Sequence, residues 1–427
     1  MLLKKVAKTP PKGWNSWDCY GASVTEEEVI ANAEYMAKHL KQHGWEYVVV
    51  DIQWYEPEAK SSIYNAFYPL EMDGYSRLMP AVNRFPSAKN GQGFKPLGER
   101  IHKMGLKFGI HIMRGIPRQA VHQNTAILGS NKTARDIAHT NSICPWNTDM
   151  YGVDKDKEGA QAYYNSLFDL YASWGVDFVK VDDIAASRLY PPLHEDEIKM
   201  LRKAIDQCGR EMVLSLSPGP APLEHAKTLK ENANMWRMTD DFWDTWEYLF
   251  PMFERCARWA EHVSEHNWPD CDMLPLGHIG IRSVDGGGSD RFTRFTKDEQ
   301  ITMMTLWSIF RSPLMFGGEL RDNDQWTLNL LTNHELNLMH NTIKKSWQVS
   351  KSDDWIIWVA DAGNYYYAAV FNIGDTDRSI DVKLDTLGVG AITDVYNVWD
   401  NQKVGESLLF DVKKHGAILL KMGRDAQ

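Results

Sequence analysis

The sequence has 427 residues, 43% hydrophobic and 24% charged, which is enough chain for one large domain and one smaller domain. Its 57 acidic and 47 basic residues give a formal net charge of −10, so the chain lacks the basic surface that nucleic-acid binding requires. No apolar run approaches the roughly 18 residues of a membrane span, and residues 1–11 contain no secretory signal. Composition therefore predicts a soluble, cytoplasmic protein without nucleic-acid or membrane partners.

A helix followed by a buried strand begins the predicted fold. Thr25 and Glu28 have the spacing of a capping box, an apolar stripe follows them, and Gly44 is placed to end the helix. The next segment contains the run Tyr-Val-Val-Val at 47–50, which is typical of a strand buried on both faces. This order predicts an α/β protein.

The same alternation continues to about residue 341. Strands are predicted at 14–18, 46–54, 106–113, 176–182, 212–217, 236–241, 274–279 and 314–316. The clearest helices are predicted at 158–174, 195–207, 223–232, 246–262 and 297–310, the last beginning with a capping box at Thr296 and Glu299. Eight such units favour a (β/α)8 TIM barrel over residues 1–341. A doubly wound open sheet is the alternative, but no glycine-rich dinucleotide fingerprint follows an early strand.

The pattern changes after residue 341 to short alternating segments separated by turn residues. Strands are predicted at 355–360, 365–372, 379–382, 392–398 and 417–421. We therefore expect residues 342–427 to form an antiparallel β-sandwich domain appended to the barrel.

Polar residues at the ends of barrel strands are the candidates for chemistry, because active sites of such barrels lie at the carboxyl ends of the strands. In the segment 176–183, alternation turns the valines towards the helices and points Lys180 and Asp182 towards the barrel axis. The ammonium group favours the ionised carboxylate, which is the form that a nucleophile needs.

A second carboxylate follows another predicted strand. Over 236–243 the same two-residue period groups Arg237, Thr239 and Asp241, with indoles on both sides. Carboxyl groups on two strand ends are the arrangement of a glycosidase. The alternative for each aspartate is a structural role as a helix cap or loop residue.

Metal and cofactor sites have weaker patterns. His111, His139 and Cys144 lack the spacing of a metal site, and the glycines at 286–288 and 317–318 are interpreted as turns rather than as a phosphate-binding loop. We therefore expect neither a metal nor a cofactor.

Four ordered motifs carry a resemblance to a known family. They are Gly13-Trp14-Asn15-Ser16-Trp17, Lys180-Val181-Asp182, Arg237 with Asp241 four residues later, and Asp270-Cys271-Asp272-Met273-Leu274. Together they resemble glycoside hydrolase family 27, the α-galactosidase and α-N-acetylgalactosaminidase family. The resemblance runs from about residue 10 through the barrel, and it implies a barrel with a C-terminal β-sandwich.

The resemblance also implies roles for individual residues. Asp182 would be the nucleophile and Asp241 the general acid/base of a retaining double displacement, with Asp183 and Asp240 as the neighbouring alternatives. Trp14 would stack on the sugar, Asp51 and Lys180 would bind the axial O4 and its neighbours, and Arg237 would bind near O2. The complete set of candidate substrate-binding residues is Trp14, Asp51, Ile52, Trp54, His111, Lys180, Ser217, Arg237 and Asp272.

Two departures from the α-galactosidase pattern bear on the substrate. The second strand of α-galactosidases usually ends in two aspartates, the second of which binds the 6-hydroxyl, whereas this chain has Asp51-Ile52. That change resembles the β-L-arabinopyranosidase branch, whose sugar has galactose-like stereochemistry without the hydroxymethyl group. It requires the strand to bend, because strict alternation puts Asp51 and Ile52 on opposite faces. The second departure is Ser217, at about the position of a glutamate that reads the 2-hydroxyl, and it resembles the acetamido-sugar branch.

The sequence therefore predicts an exo-glycosidase that releases terminal β-L-arabinopyranosyl or α-D-galactosyl residues from oligosaccharides or glycosides, with the pentose preferred. An α-galactosidase proper and then an α-N-acetylgalactosaminidase are the alternatives. A non-catalytic sugar-binding protein comes last, and a homo-oligomer is possible.

Overall fold

The computed structural model describes residues 2–187, 192–284, 288–405 and 407–424. Eight parallel strands form one curled sheet, and they are β1 (Lys12–Asn15), β2 (Tyr47–Val50), β3 (Lys107–Met113), β4 (Phe178–Asp182), β5 (Val213–Leu216), β6 (Met235–Arg237), β7 (Trp268–Asp270) and β8 (Leu314–Phe316). From β1 to β7 each strand pairs with the next, and β1 also pairs with β8. Leu274, four residues after β7, bridges to Phe316 in β8, so the two edges of the sheet meet. The prediction of a (β/α)8 barrel is confirmed.

Helices pack outside the strands. The longer ones are Glu26–His39, Lys95–Lys103, Ala160–Trp174, Glu195–Cys208, Ala226–Asn232, Met252–Trp259, Lys297–Phe310, Gln325–Thr332 and His334–Thr342. Both predicted capping boxes are present, since the side chains of Thr25 and Thr296 accept hydrogen bonds from the backbone N–H of Glu28 and Glu299. The predicted helix at 246–262 is broken into Trp246–Leu249, Met252–Trp259 and a 3-10 turn, because Pro251 interrupts it.

Four predicted strands need correction. Strand β2 ends at Val50 rather than at 54. Strand β1 begins at Lys12 rather than at 14, and Trp17–Tyr20 is a short helix. Strand β6 ends at Arg237, so residues 238–241 belong to a loop. Strand β7 is Trp268–Asp270 instead of 274–279, because Asp272 adopts a φ of +78° that breaks the extended backbone before Leu274.

An additional small sheet follows β3 and was not predicted. Its strands are Ile116–Pro117, Ala138–Ile143 and Met150–Val153, which pair antiparallel. Between the second and third of these strands, Pro145 and Trp146 extend to the carboxyl end of the barrel, where they line its cavity. The loop that contains Pro145 and Trp146 therefore forms part of the wall of the candidate site.

The barrel interior is apolar near the amino ends of its strands. Most strands contribute at least one side chain to this apolar layer, which contains Tyr47, Val49, Phe178, Val213, Met235, Trp268 and Met315. Since alternate residues of a strand face the same side, the next inward positions above this layer carry the polar side chains of the site. On β4 the inward residues are Phe178, then Lys180, then Asp182.

The C-terminal region consists of two antiparallel sheets, as predicted. The larger contains Lys345–Lys351, Trp355–Asp361, Tyr365–Asn372, Ala417–Arg424, Ile392–Asn397 and Gln402–Lys403 in spatial order, and the smaller contains Arg378–Asp381 and Leu409–Val412. Alternate residues of Tyr365–Asn372 divide between two cores. Ala368 and Val370 pack in the core between the sheets, whereas Ala369 and Phe371 join the core shared with the barrel.

No helix among the described residues combines the length and the apolar content needed to cross a bilayer.

Candidate active site

A cavity of about 780 Å³ opens at the carboxyl ends of the barrel strands. Among the described residues its charged lining consists of Asp18, Asp51, Lys180, Asp182, Asp183, Arg237, Asp240, Asp241 and Asp272. Its aromatic lining consists of Trp17, Tyr64, Trp146, Phe242 and Trp243. Polar groups held inside an aromatic rim suit a sugar, which presents both hydroxyl groups and apolar ring faces.

Strand β4 presents Asp182 to the cavity as an ionised carboxylate. Its Oδ2 lies 3.1 Å from Nε2 of His111, and its Oδ1 accepts the backbone N–H of Asp183 at 2.9 Å. Burial by itself raises the pKa of Asp182, but the hydrogen bond from His111 and the positive charge of Lys180 lower that pKa well below its usual value. A buried, oriented carboxylate can attack an electrophilic carbon.

Lys180 connects this carboxylate to a second one at the end of β2. Its Nζ donates to Oδ2 of Asp51 at 2.9 Å, and Nδ2 of Asn15 donates to the same oxygen at 2.7 Å. Burial opposes ionisation of both partners, yet their mutual attraction raises the pKa of Lys180 and lowers that of Asp51. The pair therefore stays charged and offers both donors and acceptors to sugar hydroxyls.

The loop after β6 presents a different arrangement. Arg237 bridges two carboxylates, with 3.0 Å from Nη2 to Oδ1 of Asp241 and 2.9 Å from Nη1 to Oδ1 of Asp272. The Asp241 side chain is 60% exposed, whereas Asp272 is buried and burial raises its pKa. The predicted alternation does not extend to Asp241, because the strand ends at Arg237. Asp241 nonetheless lines the cavity, where it forms the ion pair with Arg237.

The two neighbouring aspartates are engaged elsewhere. Oδ2 of Asp183 accepts from Nη2 of Arg114 at 2.7 Å, and Arg114 also contacts Glu197. Burial raises the pKa of Asp183 to about 6. Oδ1 of Asp240 accepts the backbone N–H of Asp241 at 3.0 Å. The ion pair with Arg114 distinguishes Asp183 from Asp182, whereas the Asp240 contact is of the same kind as the one that Asp182 makes with Asp183.

Asp51 and Ile52 both line the cavity. Strand β2 ends at Val50, and a turn begins at Ile52, so the alternation of the strand no longer applies to this pair. The Ile52 side chain is buried, at 2% exposure, and brings an apolar surface beside the Asp51 carboxylate.

Three predicted substrate-binding residues are buried away from the cavity. Trp14 pairs in register with Val48, so both face the helices, and its indole N–H donates to the carbonyl of Gly318. Trp54 is also fully buried and donates to the carbonyl of His111. His111 reaches Asp182 but has no exposed surface. Of the two tryptophans in this motif, Trp17 rather than Trp14 therefore lines the cavity.

Ser217 is likewise displaced from the wall of the main cavity. Its side chain is buried beside a separate small cavity of about 20 Å³, and its Oγ points to the carbonyl of Val181. The segment Pro218, Gly219 and Pro220 lines the main cavity instead, because the chain turns directly after Ser217.

Sequence reasoning missed several lining residues. Trp17 and Met273 lie inside quoted motifs, and Asp18 follows one directly, so a search of motif neighbours could have found them. Tyr64 and Trp146 lie in long loops without a local signal. Their rings meet across the loops at a tilt of 41°, with centroids 5.8 Å apart, and Tyr64 also stacks on Trp17 at 6.3 Å.

Within the described ranges, no group of three or more His, Cys, Asp or Glu side chains is arranged to hold a metal ion. The glycine stretch at 286–288 lies outside the described residues except for Gly288. Gly317 follows β8 and contacts Asp18, since a Cβ atom there would lie 2.0 Å from Oδ2 of that aspartate.

Comparisons with known proteins agree with this architecture. A family model described as alpha galactosidase A matches residues 151–341, and one described as the alpha galactosidase C-terminal beta sandwich domain matches residues 352–422. The Arabidopsis thaliana protein named alpha-galactosidase 2 is 24% identical over 406 residues, which are 94% of this chain and 84% of that protein.

Two solved structures are much more similar. The crystal structure of a family 27 β-L-arabinopyranosidase from Geobacillus stearothermophilus is 66% identical, with a TM-score of 0.98 over 100% of this chain and 99% of that chain. A variant of that enzyme was crystallised with arabinose. A Bacillus halodurans protein, provisionally named an α-N-acetylgalactosaminidase, is 61% identical, with a TM-score of 0.88 over 97% of each chain.

Proposed function

The chain belongs to glycoside hydrolase family 27, and from that membership we propose that it is a retaining exo-glycosidase that releases terminal β-L-arabinopyranosyl residues and, more slowly, α-D-galactosyl residues. The observation that carries the proposal is Ile52, an apolar side chain in the wall of the sugar cavity directly beside Asp51. The arabinopyranosidase activity of the 66% identical relative supports the same choice.

The proposed reaction proceeds in two displacements. Asp182 attacks the anomeric carbon while Asp241 protonates the departing glycosidic oxygen, which leaves a glycosyl ester on Asp182. Asp241 then takes a proton from water as the water attacks the same carbon, and the Asp182 carboxylate leaves. The lowered pKa of Asp182 supports its role as nucleophile, and the exposure of Asp241 supports proton exchange with solvent.

Charged groups around these two carboxylates would orient the sugar. The ion pair of Lys180 with Asp51 provides hydrogen-bond partners for adjacent ring hydroxyls, and Arg237 provides donors from the opposite side. Trp17 offers an aromatic surface for the apolar face of the ring.

Ile52 would select for the pentose by removing a hydrogen-bond acceptor. A hexose brings a hydroxymethyl group whose hydroxyl would lose a bond to a charged acceptor, which is worth about 1.5 to 3 kcal/mol, or roughly 10- to 150-fold in kcat/KM. Apolar pockets reject an added hydroxyl only weakly, so we expect measurable α-galactosidase activity.

The test is the ratio of kcat/KM for 4-nitrophenyl β-L-arabinopyranoside to that for the α-D-galactopyranoside. Ile52→Asp should move this ratio towards galactose by about 10-fold or more, whereas the control Ile52→Leu should keep the pentose preference because its side chain stays apolar. Comparable α-galactosidase rates without arabinopyranosidase activity in the parent would refute the proposal. So would a preference for the α-N-acetylgalactosaminide.

A further inference from the structure

Asp18 is a cavity-lining carboxyl group that the reaction above does not use. It lies in the short helix Trp17–Tyr20 that follows β1, and only 3% of the residue is exposed. Its Oδ2 atom is buried and has no hydrogen-bond partner among the described residues. The group nonetheless lies in the wall of the cavity that holds Asp182 and Asp241.

Two other buried carboxylates of the barrel are held by paired donors. Asp244 accepts hydrogen bonds from both Arg291 and Arg294, and Asp51 accepts from Asn15 and Lys180. Burying a polar group without a partner is costly, so structural acids are normally paired in this way. Asp18 differs from them, because its Oδ2 has no such partner among the described residues while the residue itself lies in the cavity wall.

The backbone around Asp18 leaves room for its carboxyl group. A Cβ atom on Gly317 would lie 2.0 Å from Oδ2 and 2.5 Å from Cγ of Asp18. Only glycine permits this close approach, so the carboxyl is held against the end of β8 at one side of the cavity.

The surroundings favour the neutral form of this carboxyl. Burial contributes most to raising the pKa of Asp18 well above its usual value, and the negative charges of Asp272, Asp241 and Asp51 raise it further, while Lys180 lowers it. A neutral carboxyl has an O–H group to donate and a carbonyl oxygen to accept, and a ring hydroxyl can pair with both.

We propose that Asp18 is a substrate-binding residue whose carboxyl group forms a hydrogen bond with one ring hydroxyl of the pyranose in the cavity. The inference rests on the proposed function for the identity of the sugar. Asp18 would add a hydrogen-bond partner for the sugar on the side of the cavity formed by β1 and β8. The other proposed partners belong to β2, β4 and β6.

The experiment compares Asp18→Ala and Asp18→Asn with the parent. Asparagine preserves the shape and the donor of a neutral carboxyl, whereas alanine removes both, and neither change breaks a hydrogen bond of Oδ2, which has no partner among the described residues. The control is Asp353→Ala, which removes an exposed aspartate from a loop of the C-terminal region. Thermal unfolding midpoints verify that all variants fold.

The first readout is the Kd of free L-arabinose by calorimetry, together with KM and kcat on the aryl β-L-arabinopyranoside. Asp18→Ala should raise Kd and KM about 10- to 100-fold, with a smaller change in kcat. Asp18→Asn should stay within about threefold of the parent because it retains the donor. The same series with D-galactose and the aryl α-D-galactoside tests Asp18 even if the chain prefers the hexose.

The second readout identifies the hydroxyl. Aryl arabinopyranosides lacking the 2-, 3- or 4-hydroxyl are compared in the parent and in Asp18→Ala. Removal of the bound hydroxyl should lower kcat/KM in the parent but add little in the alanine variant, because the two changes delete the same interaction.

The proposal is overturned if Asp18→Ala binds both free sugars within twofold of the parent. It is also overturned if Asp18→Asn is as damaging as alanine, or if no deoxy substrate shows coupling. Full activity of Asp182→Ala would refute the proposed mechanism instead, and the sugar-binding measurements would still decide the role of Asp18.

Discussion

The carboxyl ends of β4 and β6 each present an aspartate beside a cation, but the two environments differ. The Asp182 side chain is 15% exposed and is held by His111 and by a backbone N–H, whereas the Asp241 side chain is 60% exposed and pairs with Arg237. The first carboxylate is fixed in place, and the second stands at the open side of the cavity.

This difference suits the two halves of a glycosidase reaction. A nucleophile must remain ionised and aligned, which buried hydrogen bonds achieve. A group that gives up and recovers a proton needs access to water and to the departing group. The two aspartates would therefore have opposite requirements. Substitutions of Asp182 and of Asp241 should lower the activity in different ways.

The largest expected effect is at the β4 end. Asp182→Ala should lower kcat by about 10⁴-fold or more on every substrate, because it removes the proposed nucleophile. Steady-state kinetics on the aryl β-L-arabinopyranoside measure the loss.

Asp183→Asn is the matched control for this change. It weakens the contact with Arg114 and should lower the unfolding midpoint, while the folded enzyme retains activity. Equal losses of activity in both variants, with unchanged midpoints, would contradict the distinction between the neighbours.

At the β6 end the loss should depend on the leaving group. Asp241→Ala should lower kcat/KM about 10²- to 10⁴-fold on alkyl or sugar glycosides, whose leaving group needs a proton. The loss should be much smaller on a 2,4-dinitrophenyl glycoside, which departs as a stable anion. Asp240→Asn serves as the control. A loss in Asp241→Ala that is equal for both leaving groups would argue against proton transfer by this residue.

The same contrast explains what the sequence could predict. Lys180 and Asp182 lie within a regular strand of five residues, so alternation alone orients both towards the cavity. Asp241 lies four residues beyond the end of β6, where alternation has no meaning, and only the ion pair with Arg237 explains its position.

Register accounts for the tryptophan error. Strand β1 ends at Asn15 rather than at 18, so Trp17 lies beyond the strand and lines the cavity. Trp14 lies within the strand, in register with Val48, and faces the helices. Tyr64 and Trp146 meet across two loops that are far apart in sequence. Such contacts follow from tertiary packing, so no local pattern predicts them.

The smallest expected effect comes from a substitution that removes one hydrogen bond to Asp182 and leaves Asp241 unchanged. The hydrogen bond from His111 stabilises the carboxylate and so lowers the pKa of Asp182. His111→Phe removes the donor, and loss of a hydrogen bond to a charged group should raise that pKa by about one unit or more. A protonated Asp182 cannot attack, so the acid limb of the kcat/KM profile should move to higher pH, with little change at neutral pH. His111→Gln, which can still donate, should leave the limb nearer to that of the parent. An unmoved acid limb in a folded His111→Phe variant would show that Lys180 and the backbone N–H suffice to keep Asp182 ionised.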